Sequence, residues 1–149
     1  MAADLDLVRR LVGAEHGLAI IATTRTDGSV HASLVNAGVL QHPVVGGPVV
    51  GAVIRGGALK LRHLRRTGRA TITFRAGWEW ASVDGQVTII GPDDPHPDFP
   101  ADRLPGLLRD IFSAAGGTHD DWPEYDRVMA AERRVAVLIT PSRVLGNNR

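Results

Sequence analysis

The chain has 149 residues, 44% of them hydrophobic and 22% charged, and its 17 basic and 16 acidic side chains leave a formal net charge of +1. That size and balance suit one globular domain over residues 1–149 and exclude the broad positive field of a general nucleic-acid binder. With no cysteine there is no disulfide framework, thiolate nucleophile or cysteine-held metal. The acidic N-terminus lacks the basic region and long apolar core of a signal peptide, and no run is long enough to span a membrane, so a cytoplasmic protein is expected.

Residues 4–14 place Leu5, Val8, Leu11 and Val12 at helical spacing behind Asp4, a candidate N-cap, which predicts a short amphipathic helix. Residues 18–25 and 30–40 then read as two strands joined at Thr26-Asp27-Gly28-Ser29, where the Asp-Gly pair marks a hairpin turn. The loose alternation of Val30, Ala32 and Leu34 with His31, Ser33 and Val35 suits a barrel strand with one face in the core. After a loop over 41–47, residues 48–55 predict a third strand, residues 57–66 a short basic helix closed at Gly68, and residues 69–75 a fourth strand. Residues 79–90 predict a fifth strand bent at Gly85. The proline-rich, acidic stretch 91–100 reads as a linker to helices near 105–115 and 123–131, and residues 133–144 read as a last strand, broken or ended near Pro141. Many closely spaced strands with few helices predict a mainly β (α+β) protein: a barrel of about six mostly antiparallel strands with short flanking helices.

The segment from Arg55 to Arg66 is the main chemical signal. A helix start carries unpaired N–H groups and partial positive charge, so the Gly56-Gly57 pair, flanked by Arg55 and Lys60, predicts a phosphate site. On that helix Ala58, Leu61 and Leu64 form a core stripe, and Arg62, Arg65 and Arg66 read as a solvated face. Trp78 and Trp80, two residues apart at a strand start, face one way and either fill a core or dimer seam or wall a planar ring. The six histidines are scattered without metal spacing and read as surface or hydrogen-bonded polar residues, and no hydrolase or metalloprotease pattern is present. No metal site is expected, and no catalytic acid–base pair is visible.

Three stretches taken together, Ala22 to Val35, Lys60 to Thr71 and Trp80 to Val87, resemble the pyridoxamine 5′-phosphate oxidase-like split β-barrel superfamily. The tail from Tyr125 to Val135 with Ile139 to Val144 is similar to its branch of flavin and deazaflavin oxidoreductases that use coenzyme F420. The resemblance implies a homodimer with the cofactor in a groove between subunits. It implies phosphate held by Arg55 and Lys60, the ring laid across Ser33, Leu34, Val35 and Asn36, and Trp78 or Trp80 at the groove wall or from the partner subunit. Leu34 stands where many relatives have proline, and His63 where many have asparagine.

The expected activity is hydride transfer between reduced F420 and a planar conjugated small-molecule acceptor, with the cofactor supplying the chemistry and the protein the orientation. Surplus charge at Arg62, Arg65 or Arg66 would then attract the acidic tail of F420. Two alternatives keep the fold: an FMN-binding oxidase or reductase, and a noncatalytic barrel that stores a cofactor or binds haem.

Overall fold

The structure, a computed structural model, describes residues 5–147. Its centre is a closed barrel of six antiparallel strands in the order β1-β2-β3-β6-β5-β4. These are β1 (Leu18–Thr24), β2 (Val30–Gln41), β3 (Pro48–Ile54), β4 (Arg69–Ala76), β5 (Glu79–Ile90) and β6 (Val135–Gly146). Four α-helices accompany them: α1 (Asp6–Ala14), α2 (Leu59–Thr67), α3 (Leu104–Ala114), which follows a 3-10 turn, and α4 (Trp122–Ala131). This is the split β-barrel expected from the sequence. No described helix is long and apolar enough to cross a membrane.

The apolar face of α1, with Leu7, Val8, Leu11 and Val12 buried, joins the barrel core of Ile21, Ile72, Phe74, Val83, Val137 and Ile139. A second core lies on the outside, where Leu107, Leu108 and Ile111 of α3 and Tyr125 of α4 cover Val49 of β3 and Ala136 and Leu138 of β6. Because β3 and the first five residues of β6 (135–139) are covered on both faces, their sequences there are continuous apolar runs rather than alternating ones. The approach of α3 requires Gly38 on β2, where a Cβ would stand 2.3 Å from the backbone of Ala114.

Several boundaries differ from the sequence expectation. Helix α1 begins at Asp6 with Leu5 at the cap position, and the candidate cap Asp4 lies outside the described residues. Helix α2 begins at Leu59 because Gly57 adopts φ 84°, a turn conformation that no helix accommodates. Strand β6 begins at Val135 and runs through Pro141 to Gly146. Proline is tolerated there because Pro141 pairs with Gly85 where the β5–β6 register shifts, so its missing N–H falls at an irregularity in the ladder. The bend expected at Gly85 is thus a register shift.

Candidate functional site: a basic groove beside the second strand

Strand β3 ends at Ile54, and Arg55, Gly56 and Gly57 turn the chain into α2. The Gly56 N–H donates to the Glu132 carbonyl at 3.2 Å, and a Cβ on Gly56 would come within 2.6 Å of the Arg133 carbonyl oxygen. This close approach seats the β3–α2 turn against the turn that precedes β6. Helix α2 is anchored by buried Leu61, His63 and Leu64, and Gly68, at φ 68°, ends it by donating its N–H to the Leu64 carbonyl. Its start has a different character. Ala58 occupies the cap position, no side chain accepts a hydrogen bond from the first turn, and that turn holds no acidic residue.

These elements enclose a groove of about 360 Å³. From β2 come Leu34, Val35 and Asn36, and from the β3–α2 junction come Arg55, Ala58 and Lys60. Leu18, Val53, Ile54 and Arg134 complete the wall. Lys60 is half-buried, and burial lowers its pKa from the ordinary lysine value. A cation placed so is stabilised by an anion that enters beside it. Asn36 donates its side-chain N–H to the His16 carbonyl at 2.6 Å, which fixes that side chain at the groove edge. The arrangement can hold an anionic group at the α2 start and a flat apolar body against β2.

Five of the eight candidate residues therefore stand together: Leu34, Val35, Asn36, Arg55 and Lys60. Ser33 is their neighbour on β2 and is not in the groove wall; alternation turns its side chain to the face opposite Leu34 and Asn36, where its hydroxyl is buried without a hydrogen-bond partner among the described residues. Trp78 and Trp80 stand apart from the groove wall of their own chain. Trp78 sits in the β4–β5 turn, 94% exposed, rather than in a strand, and Trp80 is on β5, 37% exposed. Because Trp78 lies in the turn and only Trp80 on the strand, the two-residue strand period behind the expected shared face does not apply to the pair.

The surplus arginines are also differently placed. Arg65 forms a bidentate pair with Asp94 at 2.9 and 2.6 Å, and Arg66 donates to the Thr24 carbonyl. Arg134, which the sequence did not single out, lines the groove and is paired with Glu132 at 2.8 Å. Two of the scattered histidines are buried. His63 shares a hydrogen bond with Thr23 at 2.8 Å and meets the His31 ring edge-on at 5.5 Å, and His42 accepts from the N–H groups of Val44 and Val45. Burial pushes both pKa values below the ordinary histidine value, and His63 is lowered further by His31, Arg66 and Arg25.

No family model matches the sequence. Solved structures share the fold at low identity. A conserved hypothetical protein of Mycobacterium tuberculosis aligns at TM-score 0.69 and 17% identity, over 98% of this chain and 85% of that one. A pyridoxamine 5′-phosphate oxidase-related, FMN-binding protein of Nostoc punctiforme aligns at TM-score 0.67 and 13% identity, over 98% and 85%. An F420 reductase aligns at TM-score 0.60 and 14% identity, over 92% and 94%. Other structures with this fold are named for haem binding or storage. The fold of this chain is the split barrel shared by these solved structures, which include proteins named as FMN-binding, as an F420 reductase and as haem-binding or haem-storing.

Proposed function

We propose that the chain is an F420-dependent oxidoreductase of the cytoplasm, acting as a homodimer on a planar, conjugated small-molecule acceptor. The observation that carries the reading is the convergence of Arg55, half-buried Lys60 and the uncapped start of α2 beside Leu34, Val35 and Asn36. Bound there, the deazaflavin would supply the hydride at its C5. Arg55 would grip the phosphate through its planar fork and Lys60 would add a point charge. The free N–H groups of α2 would complete the anion site. The β2 backbone from Ser33 to Asn36 would orient the ring, and apolar Leu18, Leu34 and Val53 would keep water from its edge.

The dimer is supported by an exposed apolar row outside the barrel. Ile20 on β1 stands directly opposite Leu34 on β2, Leu18 follows on the same face of β1, and Val30 lies further along β2 opposite Thr24. A row of this kind, continuous with the groove, suits a second copy that would close the groove and bring Trp78 or Trp80 to it. Ile20→Glu is expected to give monomers in sedimentation, and an unchanged mass would exclude this face.

A second reading, FMN in the same groove, is favoured by the ion pair of Arg65 with Asp94, which leaves less net charge for an acidic tail. Titration with F420 and with FMN, followed by quenching of tryptophan fluorescence at two salt concentrations, separates the two. Tight, salt-sensitive quenching by F420 alone supports the first reading and preference for FMN the second. Silence with both would leave a barrel without either cofactor.

A further inference from the structure

A second, larger concavity lies on the other side of Arg134. It has a volume of about 840 Å³, within the range of sites that enclose a drug-sized molecule. Its floor is apolar: Ile90 at the end of β5, Phe99, Leu104 and Leu108 at the start of α3, and Met129 on α4. Its rim is the proline-rich stretch that sequence alone reads as a linker, and all four prolines there, Pro92, Pro95, Pro97 and Pro100, line it.

That stretch is fastened as a wall. Asp93 is paired with Arg133, and Asp94 is gripped by Arg65 at 2.9 and 2.6 Å. Gly91 and Asp94 exchange backbone hydrogen bonds at 3.1 Å, and the Asp98 N–H donates to His96 Nδ1 at 3.1 Å. Prolines fix φ and reduce the freedom lost on ordering, so the rim is pre-organised and the helices do not collapse onto the floor.

The charges in the wall identify the ligand class. Arg133 is neutralised by Asp93, Arg134 by Glu132 and Asp126 by Arg109. Asp98 is exposed to solvent. An anionic guest would compete with one of these pairs and a cationic guest would meet only solvent-exposed Asp98, whereas an uncharged apolar guest disturbs none. We infer that this cavity is a binding site for an uncharged, largely apolar small molecule, separate from the basic groove, with His96 Nε2 as the polar contact available to orient it. The inference stands on the cavity alone and does not depend on the cofactor reading.

The test uses the full chain and N-phenyl-1-naphthylamine, a neutral apolar dye whose emission rises out of water. Saturable emission with one dye per chain is expected. Ala130→Trp and Ala101→Trp, both at exposed lining positions, fill the cavity from its mouth without opening a core. Each should weaken dye binding at least about tenfold with an unchanged circular dichroism spectrum. Neither Ile20→Ser, on the outer apolar row, nor excess inorganic phosphate, which competes in the basic groove, should alter it. The inference is overturned by wild-type protein that does not bind the dye. Full affinity in both filled variants, loss of binding in Ile20→Ser, or displacement by phosphate overturns it equally.

Discussion

Helices α2 and α4 begin in opposite ways. At α4 the chain satisfies its own first turn: the Asp121 carboxylate accepts from the Glu124 N–H at 3.1 Å, Pro123 removes one donor, and Glu124 adds a second negative charge near the positive end. At α2 there is no side-chain cap and no acid, and the nearest charges are Arg55 and Lys60, of the sign that disfavours a helix start. The α4 start carries its own anion. Under the proposed function, the α2 start, with cations gathered beside it in a groove, would be completed by an anion from outside.

The largest effect should come from removing those cations. Arg55→Ala with Lys60→Ala is expected to weaken binding of F420 or FMN by at least about tenfold, since each charged hydrogen bond contributes about 1.5–3 kcal/mol. Lys60→Ala alone should cost several-fold, and Lys60→Arg should retain most of the affinity. Unchanged affinity in the double variant, read by the same fluorescence titration, would remove the anion assignment.

Giving α2 the start that α4 has sharpens the comparison. Ala58→Asp should raise thermal stability, by up to about 1 kcal/mol, because a side-chain oxygen then caps the first turn. The same carboxylate should weaken cofactor binding several-fold by occupying the anion position. The reciprocal change, Asp121→Ala, should cost about 1 kcal/mol in urea denaturation and leave cofactor affinity untouched. Parallel losses of stability and binding in both variants would make the two helix starts equivalent.

What the sequence made legible follows from how local each signal is. The Asp27-Gly28 hairpin, the strand runs and the glycine-fronted basic helix are written in adjacent residues, and they were placed to within a few positions. So were five groove residues, because they flank one turn and one strand. Features set by distant partners were not legible. Strand β6 passes Pro141 only because Gly85 lies across from it, and Arg134 reaches the groove only because its turn packs on Gly56. The expected linker over 91–100 is irregular backbone between β5 and the turn before α3, but its place as one wall of a cavity was not legible, since prolines announce irregular backbone and not the helices that pack beside it. Scattered histidines carry no pattern, and the burial of His63 depends on Thr23, forty positions away in sequence.

That buried histidine gives the smallest and last contrast between the two helices. His63 fixes the middle of α2 to β1, and its pKa is depressed by burial and by the neighbouring His31, Arg66 and Arg25. Below the ordinary histidine value of about 6.5 the unfolded chain therefore takes up the proton more readily than the folded one, so stability falls as pH drops through that window. Helix α4 is held instead by Asp126, whose carboxyl is depressed by its hydrogen bonds to Arg109. Its contribution persists until pH falls below the ordinary aspartate value of about 3.9. Hydrogen exchange should consequently show α2 amides losing protection between pH 7 and pH 5 while α4 amides keep theirs, after correction for intrinsic rates. His63→Gln, which keeps a hydrogen-bonding group toward Thr23 without the titration, should abolish the difference. Equal protection of both helices across that range in the unmodified protein would mean that the His63–Thr23 contact does not hold α2 to the barrel.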